Sequence, residues 1–168
     1  MPTPQWVLLI AFWLHMLATV VWLGSLAAVS LWVLPSMQRS LSASQYADWL
    51  LQANQRLSAI GWFSLALLTV TGLIQMGANV NYTGLLSFAN DWALAILLKH
   101  IVIFGMVGVS AYITWNVAPA LQRAALRRSA GASAHEEQIL GARLQRLILI
   151  NLVLGFVVLA FTALARIA

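Results

Sequence analysis

The chain has no cysteine and few charged residues, and these shortages exclude several kinds of site and argue against a soluble domain. Without cysteine it forms no disulfide, iron–sulfur cluster or thiolate metal site, and its redox compartment is left undetermined. Only 8% of the residues are charged, against about a quarter in a soluble domain. P-loop, GxGxxG, Ser/His/Asp and paired-carboxylate motifs are missing too. Any chemistry would therefore depend on a cofactor, and the sequence leaves open whether the protein is an enzyme.

Hydrophobic residues dominate the chain instead, and they are gathered in four stretches. The stretches run over residues 5–35, 57–78, 92–118 and 144–167, each near or above the roughly 20 residues that span a bilayer. They predict an all-α, four-helix transmembrane bundle, a single domain over residues 1–168 surrounded by membrane lipid. No internal repeat is convincing. After Pro119 we expect a helical extension that ends at a flexible break over residues 129–133.

The basic residues indicate the orientation of these helices. Most of them fall in or beside the segments 38–56 and 120–143, whereas the segment 79–91 and the N-terminal residues hold none. The positive-inside rule then predicts a multi-pass protein of the cell (inner) membrane with both arginine-rich segments in the cytoplasm and both termini outside. No basic stripe interleaved with aromatic residues is present, so we expect no nucleic-acid partner. The basic residues in or beside the two arginine-rich segments are Arg39, Arg56, Arg123, Arg127, Arg128, Arg143 and Arg146.

Two of the three histidines, His15 and His100, lie inside apolar stretches, where an ionisable residue is a functional hypothesis by default. In the predicted topology both lie about 12–15 Å below the outer boundary, at a rise of about 1.5 Å per residue. Two imidazoles at one depth predict a shared ligand, and a b-type heme held between the first and third helices is the first candidate. The alternative is that each histidine hydrogen-bonds within the protein and binds nothing.

Several neighbours are expected to complete a cofactor site. Helical spacing places Thr19 and Trp22 on the face of His15, and Phe104 and Gly108 on or beside the face of His100. Lys99, the only lysine, adjoins His100, but adjacent helix positions point about 100° apart. Either Lys99 or His100 is then the second ligand, while the other contacts a heme propionate or a substrate, or Lys99 extends toward water. Asn151, Thr69 and Thr71 are expected to donate hydrogen bonds between helices.

Two other functions fit the same residues. Methionine thioethers and imidazoles bind Cu(I), so Met16, Met76 and Met106 together with the histidines suggest copper transport or handling. The second alternative is a cofactor-free accessory subunit of a larger membrane complex. Glycine-bearing helix faces also suggest a homodimer.

Four short strings resemble the copper-resistance D (CopD) family. LHMLATVVWLGSL at residues 14–26 resembles that family's opening helix, LH-x6-W-x-G-G-L, with Ser25 at the second glycine. RLS at 56–58 and LTVTGL at 68–73 look like its next helix, and LLK at 97–99 looks like its LLK signature. The resemblance covers residues 14–119. Together with the paired histidines, it implies a CopD-like heme protein with a role in electron transfer or membrane oxidoreductase chemistry, taking electrons from a donor such as quinol or another redox protein.

A related group, the HemJ-type protoporphyrinogen oxidases, is similar in its first helix. There, a histidine before a tryptophan and a later lysine form the functional pair implicated in heme binding. His15 and Lys99 fall on those two positions. His100 is an addition that would serve as the second axial ligand, and the LPRLFVYH string of that group is missing here. The resemblance therefore implies heme binding rather than a particular reaction.

Overall fold

The computed structural model describes residues 3–80, 82, 84 and 90–167 as four long helices with no β-strand among them. Helix 1 spans Gln5–Ser40, helix 2 Ala43–Gly77, helix 3 Asp91–Ser129 and helix 4 His135–Ile167. Each is long and apolar enough to cross a membrane. The prediction of an all-α, four-helix membrane bundle is confirmed.

The helices extend farther than the apolar stretches at the arginine-rich end of the bundle. Helices 2 and 4 begin at Ala43 and His135, so most of the segments expected as loops are helical. Ser42 caps helix 2 through a reciprocal hydrogen-bond pair with Gln45. The extension after Pro119 is confirmed, and it ends at Ser129, just before a turn. Hydropathy marks only the part of a helix that contacts lipid, which is why the amphipathic ends were missed.

Each of helices 1 and 3 is interrupted by one π-helical segment followed by a proline. Val29–Val33 precedes Pro35, and Ile113–Val117 precedes Pro119. Proline cannot donate a backbone hydrogen bond, and its ring clashes with the carbonyl four residues earlier. In both helices that carbonyl lies inside the π segment, which absorbs the clash without breaking the helix.

The four helices form two hairpins, because helix 1 packs mainly against helix 2 and helix 3 mainly against helix 4. The hairpins share a short pattern. The string P-x-x-Q-R recurs at residues 35–39 and 119–123, near the ends of helices 1 and 3, and Q-R-L recurs at 55–57 and 145–147. His15 lies twenty residues before the first of these prolines and His100 nineteen before the second. The two histidines thus lie at nearly equal distances in sequence from these two prolines.

The bundle is longer than a bilayer is thick. Helices of 33 to 39 residues are about 50–58 Å long, whereas the hydrocarbon core is about 30 Å. Most of the charged residues collect at one end, where several form an ion-pair cluster joining helices 2, 3 and 4. Arg128 contacts Glu137 at 3.0 Å and Asp48 at 3.3 Å. The chain is thus a multi-pass membrane protein whose arginine-rich end extends beyond the hydrocarbon.

Candidate functional site

The His15 side chain is held in place by helix 2. Its Nδ1 lies 2.8 Å from Thr71 Oγ1. Thr71 Oγ1 in turn donates its only proton to the Leu67 carbonyl at 2.7 Å, so it accepts the proton of His15 Nδ1. The Nε2 lone pair of His15 is therefore left available for a ligand. Thr71 thus makes an interhelical hydrogen bond as predicted, although as the acceptor.

Gly72 gives the His15 ring room to lie against helix 2. A Cβ atom at this glycine would lie 3.4 Å from the ring Cε1, at the tight limit of ordinary contact. One turn nearer the helix end, the Gln75 amide donates to the Ala11 carbonyl at 3.1 Å and ties the same two helices together. The His15 imidazole is therefore held by its hydrogen bond to Thr71 and by the close approach of helices 1 and 2 at Gly72.

His100 has the same tautomer as His15, with the proton on Nδ1, but a different hydrogen-bond acceptor. Its Nδ1 donates to the Ile96 carbonyl of its own helix at 2.7 Å, which leaves Nε2 without its proton. His100 is nine residues into helix 3 and His15 ten residues into helix 1, which corresponds to depths of about 14 and about 15 Å. Helix 1 packs mainly on helix 2 and helix 3 mainly on helix 4, so the two histidines stand on different hairpins. The two imidazole Nε2 atoms therefore lie at one depth, and Lys99 immediately precedes His100 in sequence.

The other expected cofactor contacts are placed differently. Thr19 donates to the His15 carbonyl at 2.8 Å, within its own helix. Trp22 lies against Gly61 and lines a cavity nearer the arginine-rich end. Phe104 is 71% exposed, and a Cβ at Gly108 would meet nothing within 4 Å, so both face outward from the bundle. These two residues therefore do not form the cofactor-facing surface that was expected around His100.

The methionines separate into inward and outward positions. Met16 is 68% exposed and faces away from the bundle interior, whereas Met76 and Met106 are buried. Met76 follows Gly72 by one helical turn, so it lies on the same face of helix 2, one turn farther from the arginine-rich end than the His15 contact. Among the residues that the structure describes, no group of three or more His, Asp or Glu side chains could hold a metal ion. A metal held at this level would depend on the two imidazoles and on Met76.

A second group of polar side chains lies between the four helices, nearer the arginine-rich end. It lines part of a cavity of about 50 Å³, whose other lining residues are apolar. Asn151 donates to Ser110 Oγ at 2.8 Å, as expected for an interhelical bond, and Ser58 and Thr114 lie 3.2 Å apart. Sequence reasoning did not find this group, although the four-residue spacing of Ser110 and Thr114 was available as a signal. Its polar lining is Asn54, Ser58, Ser110, Thr114 and Asn151.

One comparison with known proteins gives a match. A family model described as Copper resistance protein D matches residues 51–165, which is more than half of the chain. No curated protein and no solved structure matches. The matched region contains Thr71, Gly72, Lys99 and His100, whereas the expected resemblance covered residues 14–119. The matched region thus starts after His15 and continues through most of helix 4. The likeness to the HemJ-type group stays a prediction.

Proposed function

Because the chain belongs to the copper resistance protein D family, we propose that it handles copper inside the membrane, with His15 and His100 as the ligands. One observation carries the proposal: hydrogen bonds at Nδ1 leave the Nε2 atoms of both rings free at one depth. Metal-binding histidines usually donate their other ring N–H to a carbonyl or another polar group, which fixes the tautomer and the ring. Both rings follow this pattern.

Family membership and side-chain chemistry favour copper over heme b at these residues. Imidazole and thioether are ligands that suit Cu(I), and buried Met76 lies one turn from the His15 contact. The cavity that Trp22 lines is only about 50 Å³, whereas drug-sized ligands occupy about 300–1,000 Å³. This cavity is therefore smaller than a porphyrin pocket, and Trp22 as a heme contact stays a prediction. Heme binding, electron transfer, and a quinol or redox-protein partner stay predictions.

The ligand proposal is tested by Cu(I) titration of the purified protein against a chromophoric chelator. We expect one high-affinity Cu(I) per chain, lost in both His15→Ala and His100→Ala. His135→Ala is the matched control, since His135 is exposed at the first residue of helix 4. Copper affinity that neither substitution changes would overturn the proposal. Absorption spectra of the oxidised and dithionite-reduced protein are recorded in parallel, and a Soret band that depends on both histidines would replace copper by heme.

We also propose that the arginine-rich end lies in the cytoplasm and that both termini lie outside the cell (inner) membrane. The segregation of arginine at one end of the bundle supports this orientation. Reporter fusions after Arg39 and Arg128 should then report the cytoplasm, and a fusion after Val80 the outside. The reverse pattern would invert the direction of transport and leave the paired histidines in place. Outward-facing Gly24, Gly105 and Gly108 leave room for a second copy, and this homodimer stays a prediction.

A further inference from the structure

The Asn151 side chain has an unmet hydrogen-bonding requirement inside the bundle. It is 4% exposed, its amide nitrogen donates to Ser110, and its Oδ1 has no hydrogen-bond partner within the described part of the chain. A buried acceptor without a partner costs about 1–3 kcal/mol, and lipid supplies no donor. Because Asn151 also lines the cavity between the helices, the missing donor is expected there.

The cavity has the size and the lining that a buried water needs. A water requires about 10–15 Å³ of accessible volume and two to four polar partners, and the cavity offers about 50 Å³. Around it stand the hydroxyl groups of Ser58 and Thr114 and the amide of Asn54, which is itself buried. Thr114 donates its proton to the Ser110 carbonyl, so it accepts from Ser58 and keeps one oxygen lone pair for a water.

The cavity lies between the paired histidines and the charged end of the bundle. Trp22, which lines it, is seven residues beyond His15 on helix 1, or about 10 Å along the axis. On helix 2, Arg56 lies in sequence between the lining residues Asn54 and Ser58. Ile113 and Thr114, from the π segment of helix 3, complete the wall. Irregular helix at membrane depth is tolerated where it lines a water-filled cavity.

We propose that this cavity holds water and is the inner half of a hydrophilic passage from the histidine pair to the arginine-rich end of the bundle. The link to copper rests on the proposed function, whereas the presence of water does not. Hydroxyl and amide oxygens suit hard cations and water, so they hold Cu(I) more weakly than imidazole and thioether do. A passage must bind an ion strongly enough to admit it and weakly enough to release it. The cavity is therefore a release path and not a second storage site.

The test uses the chain's lack of cysteine, which makes the natural protein a thiol-free background. Ser58→Cys and Thr114→Cys place one thiol each in the cavity wall, and Val153→Cys places one on the exposed face of helix 4 two residues beyond Asn151. Membranes are treated with Ag⁺, a small soft cation that reaches thiols only through water. The protein is then denatured in N-ethylmaleimide, and the thiols that Ag⁺ has protected are counted by mass spectrometry.

We expect Ag⁺ to protect both cavity thiols at least tenfold faster than the Val153→Cys thiol, which faces lipid. Protection of the cavity thiols at the rate of the lipid-facing control, in variants that retain the wild-type melting temperature, would overturn the proposal. Faster protection from the arginine-poor side would overturn the assigned direction. The measurement needs no bound copper, so a failed Cu(I) titration with protected cavity thiols would reject the copper ligands and keep the water-filled cavity.

Discussion

Thr71→Val tests whether His15 is a ligand that helix 2 holds in place. Valine has nearly the shape of threonine, so the substitution removes the acceptor of the 2.8 Å bond from His15 Nδ1 and keeps the packing. Loss of a hydrogen bond that orients a metal ligand typically costs 10–100-fold in affinity. That range corresponds to about 1.4–2.8 kcal/mol, so Cu(I) binding should weaken by a factor within it. The assay is the chelator competition titration, run on folded protein.

Thr69→Val is the matched control, two residues away on the same helix. Thr69 donates to its own Leu65 carbonyl at 2.8 Å and faces outward, so it makes no interhelical bond, contrary to the sequence prediction. Its substitution should leave the Cu(I) affinity unchanged. If Thr71→Val binds Cu(I) as tightly as Thr69→Val, the assignment of His15 as an oriented ligand is wrong. If both variants weaken binding equally, the effect belongs to helix 2 as a whole and the reasoning fails in the same way.

Three further predictions follow from the contacts around the site and the charged end. Arg128→Met should lower stability by about 3–5 kcal/mol, because it leaves Glu137 buried at 3% exposure without its partner, whereas Arg127→Met breaks only an exposed pair and should cost about 0–1 kcal/mol. Equal shifts of the melting temperature for these two variants, measured in detergent, would contradict this prediction. Gly72→Ala should keep the fold but displace the His15 ring and weaken Cu(I) binding, and an unchanged titration would show that the ring has room. Lys99→Met should tighten Cu(I) binding, since it removes a like charge next to His100; at an assumed separation of about 8 Å and an effective dielectric of ~20 that charge costs about 2 kcal/mol, or about thirtyfold. Weaker binding would instead make Lys99 a ligand.

The fold was predictable because the bilayer imposes a simple rule on the sequence. About 20 consecutive apolar residues are required for each crossing, and the chain has four such stretches. Their positions also gave the common depth of His15 and His100, since depth follows from counting residues along a helix. The helix ends were not predictable in this way, because beyond the lipid the helices are stabilised by capping and ion pairs such as Arg128–Glu137. Those interactions depend on residues far apart in sequence.

The direction of each side chain was harder to predict than its depth. Spacing placed Phe104 on the face of His100, and the structure turns that side of helix 3 outward at Phe104, because the rotation of helix 3 is set by its packing on helix 4. Hydrophobicity gives no signal here, since lipid and protein interior are equally apolar. For the same reason Thr69 and Thr71 looked equivalent, although only Thr71 reaches another helix.

The pairing of the helices into two hairpins explains why the histidines differ in environment although they share a depth. His15 donates across to helix 2, so its ring is tied to two elements at once, whereas His100 donates to Ile96 within its own helix. The ring of His100 therefore moves with helix 3, and the ring of His15 is fixed by the first hairpin. The hairpins contact each other less extensively than the helices inside each hairpin do. A small shift of one hairpin against the other would change the distance between the two Nε2 atoms without breaking either hydrogen bond.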